Sequence, residues 1–313
     1  MIRIEKYNSN YSNQWNDFIK KSKNGIFLFD RNFMEYHSDR FKDCSFLFFD
    51  DDKLIAILPA NIKGNVLFSH QGLTYGGFIT DSNMKQYKMN ECFGLLLEYM
   101  ASNNILKLIY KPLPYIYTKI PSEEAMYALF LNNANLLWIK PATVIDLSNP
   151  CKMPKGKKAQ ISRAKREGVI IENSCDFVQF INLENEVLKK YHNTKAVHNA
   201  QELELLKSFF NDEIQLFIAK HNGEVIAAAL LFVYNDVVHT QYLAANEKAR
   251  EIGALDFLIA TLIDKYRNEK RYFDFGTSTE ANEKILNTGL IAQKEGFGGR
   301  SVAYYCWEVN INE

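Results

Sequence analysis

The fold is decided by the stretch Tyr272-Phe-Asp-Phe-Gly-Thr-Ser-Thr-Glu280, which a helix-forming segment follows. The aromatic residues at its start are typical of a strand, and Gly276 predicts the turn that ends this strand. Thr277 and Glu280 have the spacing of a capping box, so we expect a helix over 279–288. A strand, a sharp turn and an exposed helix N-terminus together present free N–H groups to an anion or a carbonyl oxygen. An ordinary strand–helix connection is the alternative.

The composition points away from a nucleic-acid or membrane-surface protein. The chain has 313 residues, 47% of them hydrophobic, and 37 basic residues balance 37 acidic ones, so no global field attracts a charged polymer. The five cysteines lack zinc-ligand or redox spacing, which favours reduced thiols and predicts no metal. Neither a signal peptide nor a membrane span is apparent in the sequence. We therefore expect a soluble cytoplasmic protein of unknown oligomeric state, without membrane insertion.

The two halves of the chain follow the same order of elements. Phe46-Leu-Phe-Phe49, an acidic turn and Leu54-Ile-Ala-Ile57 parallel Leu216-Phe-Ile-Ala219, a His-Asn-Gly turn and Val225-Ile-Ala-Ala228. A third strand, a long amphipathic helix, a short strand, a second helix and a closing strand then follow in each half, at an offset of roughly 165–170 residues. This tandem duplication predicts two layered α/β domains that meet at residues 149/150.

This order of elements, with helices first and three hairpin strands next, is that of the GCN5-related N-acetyltransferase (GNAT) fold. The stretch around Gly276 resembles the C-terminal signature of FemAB-like acyltransferases that have this fold. Further blocks that carry the resemblance are Leu286-Asn-Thr-Gly-Leu290, Lys294-Glu-Gly-Phe-Gly298, Lys158-Ala-Gln-Ile-Ser-Arg-Ala-Lys-Arg-Glu-Gly-Val169 and His70-Gln-Gly-Leu-Thr-Tyr-Gly-Gly77. It implies two tandem GNAT-type domains with mixed, mostly antiparallel sheets flanked by helices. Residues 1–149 would lie on the acceptor side and residues 150–313 on the acyl-donor side.

The resemblance implies acyl-CoA, with acetyl-CoA as the first choice, as co-substrate. In the GNAT fold, backbone N–H groups at the start of the helix after the fourth strand hold the donor pyrophosphate. The matching segment here is Lys248-Ala-Arg-Glu-Ile-Gly-Ala-Leu255, in which Leu255 departs from the small residue of the pattern. A helix start with a solvent-directed arginine is the alternative. The donor-binding candidates are Arg250, Gly253, Ala254, Gly276, Thr277, Ser278 and Lys284.

Acyl transfer to an amine requires a polarised carbonyl group and a proton acceptor. His239 lies inside a predicted core strand and is a candidate base because its unperturbed pKa lies near neutrality. Tyr242 could protonate a thiolate leaving group, and alternation places it on the face opposite His239. Asp274 could orient the substrate amine or pair with a nearby arginine. The structural alternatives are a hydrogen-bonded core histidine, a packing tyrosine and a salt bridge.

The acceptor site is predicted on both halves of the chain. The basic segment 155–166 is similar to a region that borders the acceptor site of Fem-type proteins, and its arginines could hold a phosphate of the acceptor. A solvated helix face is the alternative. The acceptor-site candidates are His70, Tyr75, Gly76, Gly77, Lys158, Arg163, Arg166, Glu280 and Lys294.

Together these features predict an N-acyltransferase that moves an acyl group from a thioester to an amine of a cell-envelope precursor, such as an amino sugar or a peptide. Fem-type peptidoglycan aminoacyltransferases carry a long helical arm associated with transfer RNA, and nothing in this sequence has its length, so nucleic acid is not expected. Two alternatives stay open. One is an aminoacyl-tRNA-dependent ligase of the Fem type, and the other is a non-catalytic binding protein with a degenerate GNAT cleft.

Overall fold

The computed structural model describes residues 1–192, 196–280 and 284–311. The chain forms two compact units. One comprises Met1–Lys140 and the chain from Ala303 onward, and the other comprises Pro141–Val302. Within the described ranges, no helix has the length and apolar character that crossing a membrane requires.

Residues 1–146 form eight strands and four α-helices. In chain order they are β1 (Ile2–Lys6), α1 (Ser12–Lys21), α2 (Arg31–Glu35), β2 (Phe46–Asp50), β3 (Lys53–Leu58), β4 (Asn61–Lys63), β5 (Val66–Phe68), β6 (Ile79–Thr80), α3 (Gln86–Ser102), β7 (Lys107–Tyr110), α4 (Glu124–Leu131) and β8 (Asn135–Asp146).

The second part of the chain continues this alternation of helices and strands. Its elements are α5 (Lys155–Arg166), β9 (Ile170–Ser174), α6 (Phe177–His192), α7 (Ala200–Phe209), β10 (Ile214–His221), β11 (Glu224–Val233), β12 (Val237–Ala245), α8 (Glu247–Ile252), α9 (Ala254–Tyr266), β13 (Tyr272–Thr277), α10 (Thr288–Glu295) and β14 (Arg300–Asn310).

Each unit contains a pair of parallel strands that its long helix connects. In the first unit, β5 and β7 pair in parallel, with Val66 opposite Lys107, and α3 links them. In the second unit, β12 and β13 pair in parallel, with Val237 opposite Tyr272, and α8 and α9 link them. The hairpin ladders β2–β3, β10–β11 and β11–β12 are antiparallel. Mixed, mostly antiparallel sheets flanked by helices therefore confirm the predicted fold class.

Each unit has a hydrophobic core of its own beneath its long helix. In the first unit, Phe93 and Leu96 of α3 are fully buried against the strands. In the second unit, Leu258 of α9 and Phe273 of β13 are fully buried in the same cluster. At about 25 cal/mol per Å² of apolar surface removed from water, such residues dominate the stability of their unit. The core of the second unit thus holds β12, β13 and α9 against one another.

The closing strands pair differently from the prediction. The sequence predicts that β8 closes the first half and that β14 closes the second. Instead, Asp146 of β8 pairs with Tyr272 of β13, whereas Val309 of β14 pairs with Leu108 of β7. The compact units consequently divide within β8, and the residues from Ala303 onward join the first unit, so both differ from the predicted division at 149/150.

The predicted helix over 279–288 is wrong where the structure describes it. Beyond β13 the Glu280 N–H donates to the Ile285 carbonyl at 2.9 Å, and Thr279 forms an isolated antiparallel bridge with Leu286. Helix α10 begins only at Thr288, because the Asn287 side chain caps it by accepting from the Leu290 N–H at 2.9 Å. Thr277 and Glu280 thus form no capping box, and residues 281–283 of the predicted helix lie outside the described residues.

The assignment of β14 to the first unit predicts where a mutation in this strand acts. Val309 is 1% exposed in the first unit's core, so Val309→Ala should lower the free energy of unfolding of that unit by about 2 kcal/mol. The chain's three tryptophans, Trp15, Trp138 and Trp307, all belong to this unit. Their fluorescence during denaturant unfolding therefore measures the loss.

The matched control is Val178→Ala on α6 of the second unit, where the side chain is 52% exposed. This control should change stability by less than about 0.5 kcal/mol. An unchanged tryptophan transition in Val309→Ala would contradict the placement of β14.

Candidate functional site

The parallel ladder between β12 and β13 is short. It joins Val237–His239 to Tyr272–Asp274 and then stops, although β12 continues to Ala245 and β13 to Thr277. In β13 the register with its antiparallel neighbour also shifts between Asp274 and Thr277. Gly276 has a φ of +68°, which an L side chain rarely adopts and glycine readily does. The two strands therefore separate beyond His239 and Asp274, and a cavity lies between their ends.

A cavity of about 390 Å³ lies at this point of the second unit. It lies within the range typical of small-molecule sites, and most of its wall is apolar. The apolar lining residues are Val187, Leu188, Leu243, Ala245, Leu255, Ile259, Phe275, Leu290 and Phe297. The polar lining residues are Glu184, Arg250, Gln293 and Lys294. An apolar chamber with a few polar groups suits an acyl chain that ends in a reactive carbonyl.

Lys294 of α10 supplies a cation to the cavity wall. The side chain is 7% exposed, and its Nζ donates to the carbonyl oxygens of Gly276 at 3.1 Å and Thr277 at 2.7 Å. These bonds use two of the three ammonium N–H groups, which leaves one for a ligand. Burial lowers the pKa of Lys294 to about 8, against the opposing effect of the Asp274 charge. Near neutral pH Lys294 is therefore mostly an ammonium group that loses its proton readily.

His239 and Asp274 form a buried pair that the parallel register creates. The Nδ1 atom of His239 lies 2.9 Å from Oδ2 of Asp274, whose side chain is fully buried. The second carboxylate oxygen accepts from the Gly276 N–H at 2.7 Å. The carboxylate thus bonds both a histidine and the turn. Neither residue is among the described residues that line the cavity. The pair positions the turn whose carbonyl groups hold Lys294.

The predicted alternation along β12 is interrupted at Gln241. The residues on either side of it pair with consecutive residues of β11, so Gln241 is the extra residue of a β-bulge. The bulge places Tyr242 on the same face as His239, so the predicted opposite placement is wrong. The Tyr242 hydroxyl lies 2.6 Å from Nδ1 of His198, and burial raises its pKa to about 12. Tyr242 therefore keeps its proton at neutral pH.

Glu184 of α6 is a cavity residue that the sequence reasoning missed. It is 5% exposed, and its Oε2 atom has no hydrogen-bond partner within the part of the chain that the structure describes. Burial raises the pKa of this carboxyl group to about 7. A sequence signal for it exists, because Phe177, Phe180, Ile181 and Leu188 form an apolar stripe at helical spacing and Glu184 interrupts it.

The predicted pyrophosphate-binding segment has different surroundings from those expected. Arg250 and Leu255 both line the cavity. Gly253 has a φ of +79°, and a Cβ at this position would lie 2.7 Å from the carbonyl oxygen of Gln160 on α5. Ala254 is fully buried in the core. The positive φ and the close packing against α5 are by themselves enough to require a glycine here.

Among the remaining candidates in and after β13, some contribute backbone groups and others lie outside the cavity. Gly276 and Thr277 contribute the carbonyl groups that hold Lys294. The Ser278 N–H donates to the Pro141 carbonyl at 3.2 Å, and the serine hydroxyl is buried without a partner among the described residues. The side chains of Lys284 and Glu280 are exposed and do not line the cavity.

The basic helix α5 uses part of its charge for packing. The Lys157 Nζ atom lies 3.0 Å from Oδ1 of Asp256 and 4.3 Å from the centre of the Phe297 ring. Arg163 lies 3.9 Å from a carboxylate oxygen of Glu251. Lys158 and Arg166 are exposed. None of the three predicted α5 residues, Lys158, Arg163 and Arg166, lines the cavity of the second unit.

The predicted acceptor residues of the first unit lie in its interior. His70 is buried with a φ of +73°, and burial lowers its pKa to about 3, so it stays neutral. The Tyr75 hydroxyl bonds two other tyrosine hydroxyls, at 2.8 and 3.0 Å. Gly77 packs against a further tyrosine, and Gly76 lines a cavity of about 40 Å³. That volume holds a few water molecules but not an amino sugar.

Comparison with known proteins agrees with this geometry. Residues 157–284 match the family model of the acetyltransferase (GNAT) domain, and this range begins within α5 and ends beyond β13. No curated protein sequence matches the chain. The described residues contain no cluster of three or more histidine, cysteine, aspartate or glutamate side chains that could hold a metal ion.

Several solved structures resemble the whole chain. FemX superposes with a TM-score of 0.69 at 13% identity over 98% of both chains. The C-terminal domain of a proposed lysylphosphatidylglycerol synthetase from Agrobacterium fabrum gives 0.64 at 13% identity, over 97% of this chain and 92% of that one. A tandem GNAT protein from the clavulanic acid biosynthesis pathway gives 0.56 at 9% identity, over 100% and 99%.

The raised pKa of Glu184 predicts a stability effect that depends on pH. Between its ordinary value of 4.5 and about 7, the folded protein keeps a proton that the unfolded chain releases, so folding becomes less favourable as pH rises. Glu184→Gln should therefore be more stable than the wild type at pH 8, by up to about 3 kcal/mol, with a smaller gain at pH 5. Denaturant unfolding followed by circular dichroism measures the difference.

The control for this prediction is Glu186→Gln, which removes the same charge from an exposed position on the same helix. Its effect on stability should be the same at both pH values. A Glu184→Gln variant without any pH-dependent gain would show that the carboxyl group is not desolvated.

The surroundings of Gly253 predict that its substitution acts on stability. Gly253→Ala should cost about 1–2 kcal/mol, because the positive φ disfavours an L side chain and the Gln160 carbonyl must move. Gly156→Ala on α5 is the control, since no atom lies within 4 Å of its added Cβ. That change should stabilise the helix by about 0.5–1 kcal/mol. Equal stability of the two variants would exclude the close contact with α5.

Proposed function

Because this chain has a FemAB-like tandem GNAT fold, we propose that it is an acyltransferase that moves an acyl group from an activated donor to an amine of a cell-envelope precursor. The proposal is carried by Lys294, a buried ammonium group at the wall of an apolar cavity. Its supporting carbonyl groups come from the turn that ends β13, at the place where the parallel ladder stops.

Lys294 supplies the polarisation that acyl transfer needs. The amine nitrogen attacks the donor carbonyl carbon, a C–N bond forms, and negative charge develops on the carbonyl oxygen. The third N–H of the Lys294 ammonium group donates to this oxygen in a largely apolar cavity, where electrostatic interactions are stronger than in bulk water. The oxyanion then re-forms the carbonyl group and expels the donor's thiolate or alkoxide. The attacking nitrogen loses its proton to a base.

The donor is either a thioester or an aminoacyl ester. Acyl-CoA is the donor that the GNAT match favours, and Arg250 at the cavity wall would face its phosphate groups. The second donor stays open, since the positive φ of Gly253 and its close packing on α5 account for this glycine without a phosphate. One compared structure is named as a domain of a lysylphosphatidylglycerol synthetase, a name that also fits an aminoacyl donor.

The two donors can be distinguished by calorimetry. Acetyl-CoA and longer acyl-CoAs should bind the full chain if the donor is a thioester, whereas alanyl-tRNA should bind in a salt-dependent manner if the donor is an aminoacyl ester. Binding of neither donor would favour a non-catalytic binding protein and overturn the proposed function.

Replacing Lys294 tests its role in the reaction. Lys294→Met keeps the length and apolar character of the side chain, so the cavity should remain intact. Loss of the oxyanion donor should lower kcat about 100-fold with little change in donor affinity. Release of CoA from acetyl-CoA, with glucosamine or a lysine-containing stem peptide as acceptor, measures the rate.

The wild-type rate should also fall as pH rises through about 8, because Lys294 then loses its proton. Lys189→Met, which removes an exposed lysine of α6, should leave the rate and this alkaline limb unchanged. A Lys294→Met variant with wild-type kcat would remove Lys294 from the mechanism.

A further inference from the structure

Glu184 is an acidic residue in the apolar stripe of α6. Its neighbours at helical spacing, Phe180, Ile181 and Leu188, are apolar, and its own side chain is 5% exposed. One carboxylate oxygen, Oε2, has no hydrogen-bond partner within residues 1–192, 196–280 and 284–311. The residue lines the same cavity as Lys294. An oxygen that is desolvated and unpaired, at the wall of a cavity, points to a ligand that supplies the missing donor.

We propose that Glu184 binds a primary ammonium group in the cavity of the second unit. The carboxylate can accept charge-assisted hydrogen bonds from the ammonium group, and the apolar wall can cover the carbon chain that carries it. This inference rests on the proposed acyl transfer, because that reaction needs an amine close to a polarised carbonyl. Glu184 then holds the ammonium group and, where that group is the acceptor amine, accepts its proton before the attack.

Two parts of a substrate could supply the ammonium group. One is the acceptor amine, which must lose a proton before it attacks. The other is the amino group of an aminoacyl donor, whose carbonyl oxygen would meet Lys294 in the same cavity. The two sources share one chemistry at Glu184 and differ in whether a single ligand reaches both Glu184 and Lys294.

Other charged and titratable groups lie on the elements packed around Glu184. Arg250 on α8 and Lys294 on α10 line the same cavity, and Tyr242 lies on β12. Glu184 acts on Tyr242 electrostatically, and Tyr242 in turn bonds His198. Burial raises the pKa of the Glu184 carboxyl group to about 7, so this group can take up and release a proton near neutral pH. A cation bound beside it should lower this pKa.

The test uses the full chain and two small probes. n-Butylammonium represents an acceptor amine, and L-alaninamide represents an aminoacyl group with its carbonyl. n-Butanol is the uncharged control. Calorimetry at pH 8 should show at least one ammonium probe binding tenfold or more tightly than n-butanol. Glu184→Gln should lose that preference, and Glu186→Gln on the exposed face of α6 should keep it.

The two sources are separated by Lys294→Met. Loss of alaninamide binding in this variant, with butylammonium unaffected, assigns the site to an aminoacyl donor. Unchanged binding of both probes in this variant assigns the site to the acceptor. In the wild type, a ¹³C NMR titration should show the Glu184 carboxyl group losing its proton at lower pH when the probe is bound. This measurement tests the site even where Glu184→Gln fails to fold.

The proposal is overturned if neither probe binds better than n-butanol, or if Glu184→Gln binds them as well as the wild type does. These outcomes leave acyl-donor binding and the effect of Lys294→Met on the rate untouched. Conversely, an amine site at Glu184 in a protein without transferase activity would contradict only the proposed function.

Discussion

The short parallel ladder between β12 and β13 is the constraint on which the candidate site depends. A longer ladder would bring the two strands together along their whole length and leave no room between Leu243 and Phe275, both of which line the cavity. The bulge at Gln241 and the positive φ of Gly276 each redirect one of the strands just after the last pair. The cavity is therefore a consequence of where backbone pairing ends, and its lining side chains come from elements packed around that end.

The same ladder determines where the charged group of Lys294 lies in the cavity wall. The register that pairs His239 with Asp274 buries the aspartate where its two oxygens bond the histidine ring and the Gly276 N–H. The turn held in this way directs two carbonyl groups at Lys294. Asp274 also stabilises the ammonium form of Lys294, against the effect of burial. His239, Asp274 and Lys294 are thus connected through one turn, and of the three only the lysine lines the cavity.

Much of the fold could be predicted from the sequence because it depends on local pattern. The hairpin strands, the amphipathic helices and the repeat of their order all identify a tandem GNAT arrangement before any contact is known. The partners of the closing strands β8 and β14 could not be predicted, because pairing depends on long-range register and not on local pattern. The prediction of a helix directly after Gly276 was wrong for a related reason. Thr277 and Glu280 satisfy a common spacing, but Asn287 forms the actual cap.

The candidate site was predictable only in part, for reasons that differ among residues. Lys294 and Arg250 carry charge in motif-like stretches, and both line the cavity. Gly253 shows the limit of motif reasoning, because a positive φ and close packing against Gln160 require the same glycine that a phosphate loop would. Glu184 stands in no motif, and its importance appears only once its oxygen is known to be buried and unpaired.

The largely apolar cavity is lined by Glu184 and Lys294, two buried residues of opposite charge. Their bonding partners indicate why both are present. If they bonded each other, the cavity would be closed by a salt bridge of little net value, because desolvation offsets much of the attraction. Instead, Lys294 bonds backbone carbonyl groups and Glu184 leaves an oxygen unpaired. Each charge is thus positioned to meet a ligand rather than the other charge. An ammonium group beside the acid and a developing oxyanion beside the lysine satisfy both, and these two charges occur together when an amine attacks a carbonyl.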